Sequence, residues 1–294
     1  MANSRIDLHV HSTASDGSFT PRQLIEMAKR KCALDAVALT DHDTVAGVAE
    51  FQEAGREFNI ETFTGVEVSA DFTERTMHIL GYGMNIQDSS LLRRLESIQE
   101  GRSIRNIRII ERLQSLGISI TIDDVKGEAG TTCSQVGRPH IAGVLLKKGV
   151  VVNIRDAFDR YLKRGAPAYM ERKRFSPEEC VDMISQSGGV AALAHPKVLQ
   201  FSHQAELESA LRRLCAAGLG GIEVYYPSHQ PSEVKFYEQI ADKFGLIRTG
   251  GSDFHGASSP SVMIGSGNGS LNVPGRLLPP LRAAIAAARS DLLS

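Results

Sequence analysis

Short apolar runs alternate with amphipathic stretches along most of this chain. Ile6 to Val10 reads as a buried strand, and Pro21 to Lys31 as a helix with Thr20 at its N-cap and Pro21 at its first position. Ala36 to Leu39 is the next strand, and a helix follows from about Val45 to Phe58. Thr62 to Val68 and Met77 to Gly81 are further strand candidates. The rhythm resumes late in the chain. There the helices Pro177 to Gln186, Glu206 to Ala217 and Glu233 to Phe244 precede the strands Val190 to Ala194, Gly221 to Tyr225 and Leu246 to Thr249. Such alternation predicts a parallel sheet covered by helices, and its repetition suggests a barrel. The Ala/Leu-rich tail, Leu278 to Leu293, predicts a closing amphipathic helix.

Residues 98–168 break the rhythm, being helical in pattern and rich in arginine, and read as an insertion between barrel segments 1–97 and 169–294. Within 102–116, Arg102, Arg105, Arg108 and Arg112 share about 120° of helical arc, with Ile104, Ile107 and Ile110 opposite. A solvated basic face explains Arg108 and Arg112 as well as a ligand does. The charge is unevenly spread. From Gly101 to Arg174 there are 15 Lys+Arg and 7 Asp+Glu, a net of +8, so the remainder carries −9 to give the total of −1. One part is suited to an anion and the other to cations.

Hydrophobic content of 42% and charged content of 23% over 294 residues predict a sizeable core. Cys32, Cys133, Cys180 and Cys215 are far apart and form no C-x-x-C pair, so neither a disulfide framework nor a zinc ribbon is expected. No signal-peptide pattern or membrane-length apolar run is present, and a cytoplasmic protein is the expectation.

The chemistry lies at the strand ends. His9 and His11, two apart on a strand, emerge on one face, and Asp16 follows in the next loop. The second strand runs into Thr40-Asp41-His42-Asp43; capping the next helix is an equal reading for Asp43 but leaves His42 unexplained. Glu67 interrupts the β-branched Val66-Glu67-Val68 run, where a buried unpaired carboxylate is costly, so it is expected to meet a cation. His78 lies in an apolar run, with a core histidine bonded to a carbonyl as its alternative. His195 is held at a strand terminus by Pro196, and Asp253 and His255 repeat the spacing of two. His203 and His229 sit in polar loops and are assigned no role.

His9, His11, Asp16, His42, Glu67, His78, His195, Asp253 and His255 exceed what one ion uses, so two or three divalent cations are expected. Mixed imidazole and carboxylate suits Mn²⁺, Fe²⁺ or Zn²⁺ better than Mg²⁺ or Ca²⁺. Such a cluster acidifies a bridging water and neutralises phosphoryl oxygens, as phosphate-ester hydrolysis requires.

H-V-H-S-T-A-S-D-G, T-D-H-D, G-V-E-V-S, A-H-P and G-S-D-F-H resemble the ordered motifs of the PHP (polymerase and histidinol phosphatase) family, over nearly the whole chain outside the insertion. The resemblance implies an α/β fold, a distorted (β/α)7 barrel with a trinuclear metal centre. One ion would take His9, His11, Glu67 and Asp253. A second would take Asp16, His42 and His255, and a third Glu67, His78 and His195. Many members have histidine where this chain has Asp16; the carboxylate hardens that site and favours manganese.

The insertion and Ser134-Gln135-Val136-Gly137-Arg138-Pro139-His140 resemble the subgroup acting on nucleotides, and imply a phosphatase that removes the 3′-phosphate of nucleoside 3′,5′-bisphosphates. Arg102, Ser103, Arg105, Ser134, Gln135, Arg138 and His140 would grip the second phosphate or the sugar, with a helix start at Pro139 as the alternative there. Asp253 would take a proton from the attacking water, His255 or a metal-bound water would return one to the ribose oxygen, and Asp41 would orient the leaving hydroxyl or ribose. A 5′→3′ exoribonuclease on short 5′-phosphorylated RNA, a histidinol-phosphate-type phosphatase and a non-catalytic scaffold are the rival readings. DNA, membrane and obligate protein partners are not expected.

Overall fold

Five consecutive buried residues, Ile6–Val10, make the first strand, β1. Thr20 then starts α1 (Pro21–Arg30): its hydroxyl accepts from Gln23 N, the Gln23 side chain accepts from Thr20 N, and Pro21 fills the first turn. In chain order follow β2 (Ala36–Leu39), α2 (Val48–Glu57), β3 (Glu61–Phe72), β4 (Arg75–Tyr82) and α3 (Ser89–Ser115). Next come α4 (Ile122–Ala129), α5 (Arg138–Lys147), α6 (Ile154–Ala157), α7 (Pro177–Gln186), β5 (Val190–Leu193) and α8 (Gln204–Ala216). The chain ends with β6 (Gly221–Tyr225), α9 (Pro231–Phe244), β7 (Ile247–Gly250) and α10 (Leu278–Asp291). This computed structural model describes residues 4–72, 75–130, 136–171 and 175–292. Two compact units are formed, one by Met1–Leu95 with Phe175–Ser294 and the other by Glu96–Arg174.

The first unit is a seven-stranded sheet with strands in sequential order. It curls into a nearly closed barrel, as β1 meets the segment after β7: Val10 bridges Phe254, His11 N donates to Phe254 O at 2.9 Å, and Asp253 N donates to His9 O at 2.8 Å. The expectation of a wholly parallel sheet fails at one strand. β4 is antiparallel to both β3 and β5. Phe72 and Arg75 are too close in sequence for the crossover of a dozen or more residues that a parallel partner needs. The reversal puts the beginning of β4 at the rim where β1 and β2 end.

The barrel core joins Ile6, Leu8, Ala36, Ala38, Leu80, Tyr82 and Ala192 to Leu278, Leu281 and Ile285 of α10, the closing amphipathic helix. Alanines on β2 and β5 leave room for these larger side chains, and Tyr82 Oη donates to Leu8 O at 3.0 Å. Between Asp7 and Val10 the pairing of β1 advances three residues against two on β2. That irregularity lets His9 and His11 share the inner side with Ile6 and Leu8, although their positions differ in parity.

The helical unit has its own core, including Ile109, Ile110, Leu113, Val125, Ile141, Leu145 and Leu162. Ile104 and Ile107 are 52% and 49% exposed, whereas Arg105 is 6% exposed. The inward stripe runs through Asn106, Ile109, Ile110 and Leu113, and Asn106 donates to Val136 O at 2.8 Å, turning Arg105 inward as well. Among the described residues no helix is long and apolar enough to cross a membrane. Cys32 and Cys215 are free thiols, and Cys133 lies outside the described residues.

Leu281 is fully buried at the base of the barrel. Replacing it with alanine should lower unfolding free energy by about 2–5 kcal/mol, read by denaturant titration. A change within ordinary surface-mutation scatter would mean that α10 does not seal this core.

Candidate metal centre

β1 delivers His9 and His11 to the inner rim, and the loop after it delivers Asp16. The expectation that Asp41 acts on substrate does not fit its surroundings. Its buried carboxylate accepts from Ser12 N at 2.7 Å, Ser12 Oγ at 2.6 Å and Ser15 Oγ at 2.5 Å, so Asp41 braces the loop carrying Asp16. Asp43 does not cap α2, whose N-cap is Gly47. It instead accepts from Ser69 N at 2.8 Å and donates its own N–H to Glu67 O at 2.9 Å, fixing β3 beside His42.

Glu67 is the hub. Its Oε2 lies 3.3 Å from His9 Nε2, 3.2 Å from His11 Nε2 and 3.0 Å from His42 Nδ1. Its Oε1 lies 2.8 Å from His78 Nδ1 and 3.0 Å from His195 Nε2. Asp253 Oδ1 stands 3.3 Å from His9 Nε2 and 3.2 Å from His11 Nε2. Asp16 Oδ1 is 3.3 Å from His255 Nε2, and Asp16 Oδ2 is 3.9 Å from His42 Nε2.

Among the described residues three sets of donor atoms, each within 4.8 Å of one another, could hold an ion: His9, His11, Glu67 and Asp253; His11, Asp16, His42 and His255; and His42, Glu67 and His78. The first set is the one implied by the family resemblance. The second adds His11, and the third has His42 in place of His195, whose Nε2 remains 3.3 Å from His78 Nδ1. All nine residues named from the sequence are thus brought together.

The donor atoms fit cations. Among the described residues, His9 Nε2, both His11 nitrogens, Glu67 Oε2 and Asp253 Oδ1 are buried and lack a hydrogen bond despite their close approach. Buried polar atoms left this way are expensive unless something else binds them. The charges also pair among themselves. Burial opposes protonation of His11, but Asp253 and Glu67 outweigh it and raise its pKa to about 10. Burial opposes ionisation of Glu67, yet the surrounding imidazoles hold its carboxyl well below the usual range. The same balance lowers Asp253 and Asp16. His42 goes the other way: burial pushes it down to about 3.

Three supporting groups escaped the sequence reading. Glu223 on β6 is fully buried, with Oε1 3.0 Å from His9 Nδ1 and Oε2 accepting from His195 N at 2.7 Å. Tyr226 Oη donates to Asp253 Oδ2 at 2.9 Å. Asp7 accepts from Ser252 N at 2.8 Å, Ser252 Oγ at 2.6 Å and Gly265 N at 2.7 Å, holding the strand end that bears Asp253. Glu223 and Asp7 each carried the signal used for Glu67, a carboxylate inside an apolar strand. His203 accepts from Glu206 N at the start of α8, and His229 Nδ1 donates to Val224 O at 2.8 Å.

His255 Nδ1 donates to Asp253 O at 2.9 Å, which leaves Nε2 beside Asp16. That arrangement suits a ligand. In the helical unit, His140 Nδ1 accepts from Gly137 N at 3.1 Å and Arg138 donates to Leu162 O at 3.3 Å. Both bonds serve the start of α5 and its neighbours. Arg105 is buried and donates to Asn106 Oδ1 at 3.2 Å, while Ser103 is exposed and Arg102 partly exposed. Ser134 and Gln135 lie outside the described residues.

The pKa directions give a stability test. His11, raised in the fold, contributes stability in full below the unfolded imidazole pKa of about 6.5 and loses it as pH rises through about 10. Chelated protein should therefore lose Tm between about pH 7 and about pH 10, and added divalent cation should restore it. A Tm indifferent to both pH and cation would show that these imidazoles and carboxylates do not interact as described.

The PHP domain family matches residues 7–135. A 3′,5′-nucleoside bisphosphate phosphatase of Chromobacterium violaceum is 36% identical over 255 residues, covering 87% of this chain and 88% of the relative. A 5′-3′ exoribonuclease of Haemophilus influenzae is 32% identical, covering 85% and 90% respectively. A solved structure from Bifidobacterium adolescentis, a predicted metal-dependent phosphoesterase, superposes with a TM-score of 0.80 at 29% identity, covering 97% of this chain and 98% of that one. Similarity of this extent, over a barrel whose rim gathers the family's donor residues, makes the chain a member of the PHP family.

Proposed function

We propose that this chain is a metal-dependent phosphomonoesterase that removes the 3′-phosphate of nucleoside 3′,5′-bisphosphates, leaving nucleoside 5′-monophosphate and phosphate. The observation that carries the reading is the buried cluster in which Glu67 and His11 are shared between donor sets. The C. violaceum relative, a phosphatase for such bisphosphates, supports the substrate. Bound divalent cations would supply acidified water and neutralise phosphoryl charge.

The chain's own groups do the positioning. Asp253 keeps Oδ1 toward His9 and His11, while Tyr226 holds Oδ2. Asp253 is therefore oriented to take the proton of the attacking water as well as to ligate. We assign manganese to the ion beside Asp16, His11, His42 and His255, because the Asp16 carboxylate makes that donor set harder than a histidine there would, with iron(II) and zinc as the alternatives. Recognition of the second phosphate is assigned to the basic helical unit on its charge, with Arg102 and Ser103 as its candidates among the described residues.

Exoribonuclease action on short 5′-phosphorylated RNA is the second reading, favoured by the H. influenzae relative. A nucleoside bisphosphate and a 5′-phosphorylated dinucleotide should be offered side by side to manganese-supplemented protein. Faster phosphate release from the bisphosphate supports the phosphatase; preferential cleavage of the dinucleotide would replace it with the nuclease. Asp253→Asn should lower kcat by roughly 10²–10⁴ with little change in KM. Equal losses in both would remove Asp253 from the proton transfer. Metal analysis of active protein containing zinc alone would overturn the manganese assignment.

A further inference from the structure

Glu223 is a fully buried carboxylate that the hydrolytic reading leaves without a task. We infer that it is a positioning residue: it fixes which nitrogen His9 offers to a cation and ties that imidazole to the backbone of His195. The inference rests on the reading that this cluster binds divalent cations.

Both Glu223 oxygens face nitrogens, Oε1 the His9 Nδ1 and Oε2 the His195 N–H. With Glu223 Oε1 3.0 Å from His9 Nδ1, the imidazole must carry its proton there. His9 Nε2 then keeps its lone pair, at 3.3 Å from Glu67 Oε2 and 3.3 Å from Asp253 Oδ1, where it can ligate. The other oxygen of Glu223 accepts the N–H of His195, a residue at φ 24°, ψ 64°, outside the ordinary backbone wells. His195 Nε2 lies 3.0 Å from Glu67 Oε1. Glu223 thus braces imidazoles facing both oxygens of Glu67.

Glutamine could not replace it. One end of the amide would be a donor, set against either His9 Nδ1–H or His195 N–H. In the first case the imidazole would move its proton to Nε2 and lose its lone pair for the metal. In the second a strained backbone N–H would be left facing another donor.

Manganese titration of wild type and Glu223→Gln, followed by calorimetry and metal analysis after dialysis, tests the inference without substrate. Folded Glu223→Gln should lose roughly 10–100-fold in affinity at the subsites that share Glu67 and keep an ion at Asp16, His42 and His255. Unchanged affinity, or equal loss at every subsite, overturns the role of Glu223. Wild type that binds no manganese would instead sink the underlying metal reading. If the variant fails to fold, nitrogen NMR of cadmium-loaded wild type decides: metal coupling to His9 through Nε2 with Nδ1 protonated is expected, and coupling through Nδ1 overturns it.

Discussion

The constraint behind this barrel rim is the burial of the Glu67 carboxylate. It is fully buried, and an ionised carboxyl taken out of water must recover several kcal/mol from its surroundings. Here His9, His11 and His42 face one oxygen, and His78 and His195 face the other. Those imidazoles come from four strands or the segments just after them, so any shift in strand register would strand the charge. The same arrangement that makes a buried Glu67 tolerable makes a cation-binding cage, because protons and cations compete for the same atoms.

Delivering these groups to one place takes departures from a regular barrel. Were β4 parallel to its neighbours, His78, near its beginning, would sit at the far end of the sheet. Antiparallel pairing sets it opposite Ser69, two residues beyond Glu67 on the same side. Were β1 regular, Leu8 and His9 would face opposite sides; the extra residue against β2 removes that conflict. The elements that look like defects in the sheet are the ones that aim the chemistry.

This explains how much could be seen in the sequence. His9-Val10-His11 and Asp253-Phe254-His255 were legible because spacing along a short segment already predicts a common direction. The turn after β3 was not, because only the length of the 72–75 connection, not the apolar pattern, tells antiparallel from parallel. Asp41 was misread since its partners, Ser12 and Ser15, are ordinary loop residues with no motif of their own. The inward side of α3 was not legible either, because Ile104 and Ile107 are exposed while Asn106, through its bond to Val136, marks that side. Glu223 could have been found by the argument that found Glu67, but its partner His9 lies 214 residues away.

Backbone strain follows the same logic. Asp43, His195 and Asp253 have φ of 54°, 24° and 55°, and each is buried or partly buried at the cluster. Such conformations cost of order 1–3 kcal/mol apiece for a residue with a Cβ. Each of the three donates its own N–H to a group that also serves the cluster: Asp43 to Glu67 O, His195 to Glu223 Oε2 and Asp253 to His9 O. Those bonds offset the strain only while β1, β3 and β6 stay in register, so the backbone that orients the donors and the sheet that carries them stabilise each other.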